Sequence, residues 1–413
     1  MAGGRANSGI TTDGCAIASA KSGITIEGCA STSTNSGITT EGCAPDPGSS
    51  GMTTEDRASA QASPVISIEG CIDAPVGPAL ATECGAPVRP GRATAACASS
   101  DPYQLGVAQR WGHLHHPRVR ALAWLLDAPD LLDPAAPHWQ GRIATLGPVT
   151  ADVADWLAAL DLDPAPLDAA LGERHYSRLG LYAEKLLAFY FASRQTLVAH
   201  GLQVRASRND TVGEFDFLLR DGAVLVHLEF ATKFYLLDAA TAGADFNGLI
   251  GPNLADTLGA KMRKIFDKQL ALAQHPAAQP LLPQAVDRAQ ALVKGWLFYP
   301  YDQLPGVTPG ISREHCQGFW MPLAQVAALP GEQFCIMPRL QWLAPLKVPT
   351  GAGMDREALQ AELGRQMAQV SAPVMVAVLR QEGEWLLEQR RGFIVPDDWR
   401  DRAAQNRRDG KLP

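Results

Sequence analysis

Five ionisable side chains lie in two runs of the sequence that otherwise have the composition of buried β-strands. Both runs belong to the stretch TVGEFDFLLRDGAVLVHLEFATKFYLL, residues 211–237. The five are Glu214, Asp216, His227, Glu229 and Lys233. Ionised side chains are rarely buried fully unless an opposite charge or a metal ion compensates them. These positions are therefore the first candidates for chemistry.

The spacing of these residues predicts two charged strand faces that meet. Side chains two residues apart on a strand point to the same face, so Glu214 shares a face with Asp216. By the same rule His227, Glu229 and Lys233 share a face of the following strand. The letters RDGA between the two runs are a hairpin signal. A hairpin would make Asp216 and Glu229 neighbours.

Neighbouring carboxylates of this kind indicate a metal site. Two carboxylates at one edge of a sheet repel each other unless a cation lies between them, and oxygen ligands suit Mg²⁺ or Mn²⁺. We therefore expect Asp216 and Glu229 to bind such an ion, with Lys233 beside it to stabilise negative charge on a phosphate. The alternative is a hairpin with one hydrated face and ordinary cross-strand pairs. Spacing alone does not separate these interpretations.

The elements around the hairpin predict a mixed α/β sheet with helices on its faces. Predicted helices cover residues 117–127, 150–163, 176–201 and 254–273, and predicted strands cover residues 202–207, 213–220, 223–237 and 291–300. The third helix carries Glu184 in its middle and is expected to end at Gly201. Residues 311–413 contain strand-like pieces such as APVMVAVLR but carry little further information about the fold.

A basic stripe follows the hairpin on the fourth predicted helix. Lys261, Lys264 and Lys268 are spaced i, i+3 and i+7, which places them on one helix face, and Gln269 comes directly after them. The stripe is interpreted either as a surface that contacts phosphates or as an ordinary solvated helix face.

This order of elements resembles the PD-(D/E)XK nuclease-like superfamily, whose fold is that of restriction endonucleases. More closely, the runs LGLYAEKLLAFYF, TVGEFDFLL, VHLEFATKFYLL, GPNLADTLGAKMRKIFDKQLAL and KGWLFYP resemble domain of unknown function family 1853. The resemblance covers roughly residues 103–400.

The superfamily resemblance implies a role for each acidic residue. Asp216 and Glu229 correspond to the metal-binding acids, Glu184 to an accessory acid on the helix, and Lys233 to the catalytic lysine. In the superfamily a glutamine at the position of Gln269 can touch the site. The implied activity is Mg²⁺-dependent (or Mn²⁺-dependent) hydrolysis of phosphodiesters, with DNA or RNA as the partner.

One departure from the superfamily pattern puts that activity in question. The pattern places lysine two residues after the second acid, where this chain has Ala231. Lys233 lies two residues further on, about 13 Å along the strand from Glu229 at roughly 3.3 Å per residue. The lysine role therefore survives at Lys233, moves to His227 or is lost. Its loss would leave a catalytically inactive module on the same fold, one that binds nucleic acid or another protein.

The first hundred residues have a different composition from the rest. Segments such as SGITTDGC and SGITIEGC recur every 14 residues from Ser8 onwards, and the units contain few apolar side chains. Burial of so little apolar surface does not offset the entropy lost by ordering the backbone. We therefore predict a disordered tail at residues 1–100 and one α/β domain at residues 101–413, with a core at 176–300 and a C-terminal extension at 301–413.

Composition excludes several classes of protein. The net charge is −7 and the isoelectric point about 5.7, so no global positive field indicates nucleic acid or an anionic membrane. No run approaches the roughly 20 apolar residues of a membrane span, and the first residues lack the apolar core of a secretory signal. A cytoplasmic protein without a membrane partner is expected. The phosphate-binding motifs GxxxxGK[ST] and GxGxxG and the nucleophile motif GxSxG do not follow any predicted strand.

Overall fold

The computed structural model describes residues 101–172, 176–238, 246–303 and 306–412. The repeats that predict a disordered tail lie outside these residues. Eight α-helices occur in the described part: α1 Pro102–Trp111, α2 Pro117–Asp127, α3 Ala151–Leu162, α4 Ala165–Leu171, α5 Leu179–Ser193, α6 Leu258–Lys264, α7 Arg356–Gln369 and α8 Trp399–Arg408. Ten strands occur there: β1 Leu197–Ser207, β2 Asp210–Asp221, β3 Val224–Leu237, β4 Leu249–Ile250, β5 Arg288–Pro300, β6 Cys316–Pro322, β7 Gln333–Ile336, β8 Lys347–Pro349, β9 Val374–Glu382 and β10 Trp385–Val395.

All ten of these strands form a single mixed sheet. Its order is β1-β2-β3-β5-β6-β10-β9-β7, with β4 paired to β3 and β8 paired to β10. The central neighbours β3, β5, β6 and β10 run parallel, whereas β1-β2, β2-β3, β10-β9 and β9-β7 are antiparallel pairs. The predicted mixed α/β fold with flanking helices is confirmed. The C-terminal region supplies β6 to β10 and is part of the same sheet.

Helices α5 and α6 are associated with two different apolar clusters of the sheet. Leu228 and Leu236 of β3 belong to the cluster that contains the buried side chains of α2 and α5. Ala231 and Tyr235, on the other face of the same strand, belong to the cluster that contains Met262 of α6. This alternation follows from the two-residue period of strands. Strand β3 is therefore covered on both faces, which explains its almost continuous apolar composition.

The predicted hairpin between β2 and β3 is confirmed. Asp221 pairs with Val224 across a two-residue turn in which Gly222 has a φ of 60°. A left-handed conformation at this position favours glycine, as the RDGA letters indicate.

The prediction that the third helix continues to Gly201 is wrong. The helix α5 ends at Ser193, and Gln195 adopts a left-handed φ of 56° directly after it. Residues from Leu197 onwards form β1, which pairs with β2. Pairing across the sheet therefore overrides the helical pattern in the sequence, and Gly201 lies inside a strand instead of at a helix end.

The fourth predicted helix is shorter at its start and irregular at its end. It begins after Thr257, whose side chain accepts a hydrogen bond from the Ala260 amide. Beyond Lys264 the chain makes one π-helical turn, Ile265–Gln269, in which the Leu270 amide bonds to the Ile265 carbonyl. Such single π turns are frequent at functional sites. Among the helices of the described segments, none has the length and apolar character needed to cross a bilayer.

Candidate metal-binding cleft

The candidate site lies where β2 and β3 separate. The ladder between the two strands runs from Asp221 and Val224 to Phe217 and Leu228 and ends there. Beyond that point β2 pairs with β1, and β3 pairs with β5. Asp216 and Glu229 are the next residues on their strands, so they stand at the fork between two diverging parts of the sheet. The fork opens a cleft that a regular hairpin would close.

Eight of the predicted site residues line this one cleft, which has a volume of about 740 Å³. They are Glu184, Glu214, Asp216, Glu229, Lys233, Lys261, Lys264 and Gln269. Lys268 lines it as well. The cleft thus combines several acidic side chains from α5, β2 and β3 with several lysines from β3, α6 and the π turn. The alternative interpretation is a hairpin whose charged side chains form cross-strand pairs on a hydrated face. In the structure these side chains line a cleft instead.

Asp216 is half-buried beside Glu229. Its Oδ2 accepts a hydrogen bond of 2.9 Å from the amide of Phe230, so the side chain replaces a ladder bond at the fork. Burial, with a further contribution from the charge of Glu229, raises the pKa of Asp216 to about 8. A carboxylate in this position is destabilised in its ionised form, because no lysine or arginine of the described segments forms an ion pair with it.

Glu229 is almost fully buried, and each of its two carboxylate oxygens contacts a polar side chain. Its Oε1 lies 2.7 Å from Nε2 of His227, and its Oε2 accepts a hydrogen bond from the side-chain amide of Gln269. Burial raises the pKa of Glu229 to about 7, although hydrogen bonds from the neighbouring Asp216 oppose this shift. Burial therefore raises the pKa values of both members of the carboxyl pair formed by Asp216 and Glu229.

His227 lies behind Glu229 and does not line the cleft. Its side chain is 0% exposed, and burial lowers its pKa to about 4, so the ring is neutral. Phe215 packs edge-on against it at 4.6 Å between ring centroids. The structure thus places His227 behind Glu229, away from the space in the cleft where a phosphate would lie.

Glu184 is tied to a histidine that the sequence did not single out. His200 of β1 places Nε2 2.7 Å from Glu184 Oε1, and Lys185 Nζ lies 3.3 Å from the other ring nitrogen. The sequence pattern conceals His200 because its segment, VAHGLQ, resembles the end of a helix. Once β1 is recognised as a strand paired with β2, a histidine opposite Phe217 becomes a candidate partner for an acid on α5.

Lys233 reaches the cleft despite its late position on β3. Its ammonium forms no ion pair with a carboxylate of the described segments, and burial followed by repulsion from Lys261 lowers its pKa to about 8. At neutral pH it is still predominantly a cation. Position 231, where the superfamily pattern has lysine, is occupied by an alanine that is 7% exposed and belongs to the apolar cluster beneath α6. Ala231 also lines the cleft, on the same face of β3 as Glu229 and Lys233.

The lysines of α6 and the π turn differ in how firmly they are held. Lys261 lies 3.2 Å from Asp256, which also accepts a hydrogen bond of 3.3 Å from the Tyr235 hydroxyl. Lys264 and Lys268 are exposed and form no ion pair within the described segments. The stripe predicted from the sequence therefore faces the same cleft as the carboxyl pair.

The protein donors in this cleft suit a cation that keeps open coordination positions. Across residues 101–172, 176–238, 246–303 and 306–412, no group of three or more His, Cys, Asp or Glu side chains is arranged to hold a metal ion. An ion at the fork would receive Asp216 and Glu229 from the protein and fill its other positions with water or ligand oxygens. Mg²⁺ is typically bound in this way, by one or two carboxylates plus water and phosphate oxygens.

The family model described as "Domain of unknown function (DUF1853)" matches residues 120–395, which is 276 of the 413 residues. The chain belongs to this family, as the sequence runs predicted. No curated protein and no solved structure matches the chain. The matched range contains the whole cleft.

Proposed function

We propose that this member of the DUF1853 family is a Mg²⁺-dependent or Mn²⁺-dependent phosphodiesterase that acts on nucleic acid. The observation that carries the proposal is the close pair of half-buried Asp216 and buried Glu229 at the fork, with no lysine or arginine ion-pair partner among the described residues. Buried carboxyl pairs with raised pKa values are typical of functional sites, because stability alone favours compensation of both charges. The resemblance to PD-(D/E)XK nucleases supports the proposal through the order of the elements that carry Glu184, Asp216 and Glu229.

Each residue of the cleft has a role in this proposal. Asp216 and Glu229 would hold the ion, which when bound polarises phosphate oxygens and lowers the pKa of a bound water. Lys233 contributes a positive charge close to the carboxyl pair and stabilises the negative charge that grows on the phosphate during displacement. Gln269 fixes one oxygen of Glu229 through its side-chain amide. Glu184, held by His200, adds negative charge to the rim of the cation site.

The lysines of α6 and the π turn indicate the class of substrate. Lys264 and Lys268 are exposed, line the cleft and form no ion pair within the described segments, so they remain available for phosphates. Contacts of this kind provide affinity for nucleic acid without sequence preference. A local basic surface explains how a chain of net charge −7 can bind a polyanion.

Cleavage by the full-length chain tests the proposal. Supercoiled plasmid DNA and labelled RNA are incubated with the protein and Mg²⁺ or Mn²⁺, and products are resolved on gels. We expect nicking that requires the ion and that Asp216→Asn or Glu229→Gln reduces by at least about 100-fold, in keeping with loss of a group that stabilises the transition state. Asp221→Asn is the matched control, because Asp221 lies on the same strand but is exposed and pairs with Arg288 outside the cleft. Equal activity in the wild type and Asp216→Asn would contradict the proposal.

A second function is favoured by two observations at the same site. Ala231 stands where the superfamily has its lysine, and Glu184 is engaged by His200. Both are compatible with a module that binds nucleic acid, or a protein, and no longer cleaves. Such a module would bind DNA or RNA equally well with EDTA as with Mg²⁺ and would gain no thermal stability from the ion. An active site would gain stability from the ion by mass action.

A further inference from the structure

The buried side of Glu229 contains a histidine in an unusual hydrogen-bonding state. His227 Nε2 lies 2.7 Å from Glu229 Oε1, and both side chains are shielded from solvent, at 0% and 1% exposure. The other ring nitrogen, Nδ1, is buried and has no hydrogen-bond partner among the described residues. A neutral imidazole carries one proton, on one nitrogen or the other.

The surroundings of the ring determine which nitrogen carries that proton. A proton on Nδ1 would leave that N–H without an acceptor and would place the Nε2 lone pair against a carboxylate oxygen. A proton on Nε2 donates to Oε1 of Glu229 and leaves only a lone pair unsatisfied. The second tautomer is the one that the contacts select, because an unsatisfied buried donor is costly and lone pairs that face each other repel.

We propose that His227 is a positioning residue that orients Glu229 toward the cation by donation from Nε2 to Oε1. This inference rests on the proposed function, since it assigns a purpose to the orientation of a metal ligand. Gln269 of the π turn donates to Oε2, so that each oxygen of Glu229 then accepts a hydrogen bond, one from His227 and one from Gln269. The carboxylate plane is then fixed, and the free lone pairs are directed into the fork. Partners of metal ligands characteristically act in this way.

The packing around His227 supports a positioning role. Phe215 contacts the ring edge-on, so the imidazole cannot rotate without disturbing a fully buried aromatic side chain. A leucine or phenylalanine at position 227 would fill the same space without an unpaired nitrogen. Packing alone therefore does not explain a histidine at position 227, whereas hydrogen-bond donation from Nε2 does.

Two substitutions that differ in where they place an amide separate donation from packing. In His227→Gln the side-chain nitrogen reaches about as far as Nε2, whereas in His227→Asn it reaches only as far as Nδ1. Mn²⁺ affinity of the full chain is measured by electron paramagnetic resonance of the free ion. We expect His227→Asn to weaken Mn²⁺ binding about 10- to 100-fold and His227→Gln to retain most of it. His315→Asn is the matched control, because His315 is also buried but bonds to Tyr299 and Ser312 away from the cleft.

The possible results distinguish the two proposals. If Asp216→Asn abolishes Mn²⁺ binding but His227→Asn binds as tightly as wild type, the positioning role is wrong and the proposed function stands. If His227→Gln loses as much affinity as His227→Asn, the histidine acts through its shape and the donor role is overturned. If the wild type binds no Mn²⁺, the proposed function fails and the positioning role fails with it.

A measurement without metal tests the same contact independently of Mn²⁺ binding. Nitrogen-15 shifts of the histidine rings identify the tautomer of each one, and the signal of His227 is assigned by its absence from His227→Gln. At about pH 9, well above the pKa of about 7 for Glu229, we expect the Nε2–H tautomer in the wild type, with a proton shift that moves upfield in Glu229→Gln because the acceptor loses its charge. An Nδ1–H tautomer, or no response to Glu229→Gln, would overturn the inference.

Discussion

Two places in the same sheet bury carboxylates, and they treat the charge in opposite ways. On β10, Glu388 is 3% exposed and receives a two-point hydrogen bond from Arg391, with both contacts at 2.7 Å. At the fork between β2 and β3, half-buried Asp216 and buried Glu229 lie beside each other, and neither forms an ion pair with an arginine or lysine of the described segments. The charge of Glu388 is thus compensated by Arg391, whereas the described segments provide no such ion pair for Asp216 or Glu229.

The surroundings of the β10 pair complete its compensation. Arg391 also donates to the carbonyls of Trp342 and Ala344, and its guanidinium lies over the Trp296 ring at 4.0 Å. The second oxygen of Glu388 accepts a hydrogen bond from the Leu346 amide at 2.7 Å. Both charged side chains thus have partners within the protein. Such a network fixes the packing of strands and loops and offers nothing to a ligand.

Under the proposed function, this difference separates a charge that serves the fold from one that serves a ligand. A buried carboxylate that the fold needs is matched by a cation and by donors, as at Glu388. A buried carboxyl pair that lacks a cation is held in the folded state at a cost in stability, which supports the proposal that a bound ion supplies the missing charge. Three predictions break or sharpen this comparison, and the expected effects decrease from the first to the last.

Replacement of the positively charged side chain near each carboxylate site, Arg391 in β10 and Lys233 in the cleft, should lower the free energy of unfolding by unequal amounts. Arg391→Met leaves Glu388 buried without compensation, and we expect the free energy of unfolding to fall by about 3–5 kcal/mol. Lys233→Met, the matched change in the cleft, breaks no ion pair within the described segments and should cost less than about 1 kcal/mol. Urea unfolding at pH 7 measures both. Equal losses would show that the two regions do not differ in the way described.

The pH dependence of stability should come from the cleft. Burial raises the pKa of Asp216 from 3.8 to about 8 and that of Glu229 from 4.5 to about 7, so the folded protein binds protons that the unfolded chain has released. Stability contributed by the pair is therefore present below about pH 4 and is lost as the pH rises through 7 and 8.

Asp216→Asn removes most of this effect. In EDTA we expect the variant to exceed the wild type by about 2–4 kcal/mol in unfolding free energy at pH 8.5, and by much less at pH 4. Urea unfolding across this range provides the measurement, with Asp221→Asn, exposed on the same strand, as a control that follows the wild type. A variant curve parallel to that of the wild type would refute the raised pKa values.

The lysines of α6 and the π turn should affect binding and hardly affect folding. Replacement of Lys261, Lys264 and Lys268 by Gln should reduce the dependence of log Kd on log salt by about 2–3 for duplex DNA, because up to three fewer phosphates are neutralised by the protein. The change in unfolding free energy should stay below about 1 kcal/mol, because exposed lysines contribute little to stability. Replacement of Arg365, Arg402 and Lys411 by Gln, outside the cleft, is the control. The same reduction of the slope in both triple variants would place the nucleic acid elsewhere.

The sequence was sufficient to bring Asp216 and Glu229 together because the hairpin is a local feature, whereas the roles of Glu184 and Gln269 came from the superfamily resemblance. The RDGA turn sets the register between β2 and β3, and Asp216 and Glu229 are the next residues beyond its last pair, Phe217 and Leu228. The separation of the strands beyond these residues could not be predicted, because it depends on β1 and β5, which pair with β2 and β3 from outside the hairpin. His200 was missed for the same reason, since only the pairing of β1 shows that its segment is a strand.

The charged run in β10 shows why sequence pattern alone cannot separate structure from function. The letters WLLEQRRGFIV place Glu388 and Arg391 in an apolar strand, much as VHLEFATKFYLL places Glu229 and Lys233 in another. In β10 the two charges meet in space and neutralise each other, and in β3 they do not. Side-chain geometry, which no periodicity reports, decides between the two cases.

A crystal of the full chain soaked in Mn²⁺ tests the central claim most directly. Anomalous scattering at the manganese edge locates the ion without reference to activity. We expect a single strong peak in the cleft within about 2.0–2.3 Å of both an Asp216 and a Glu229 carboxylate oxygen, as carboxylate ligation requires. A fork without manganese, in crystals where Asp216 and Glu229 still contact each other, would contradict the account.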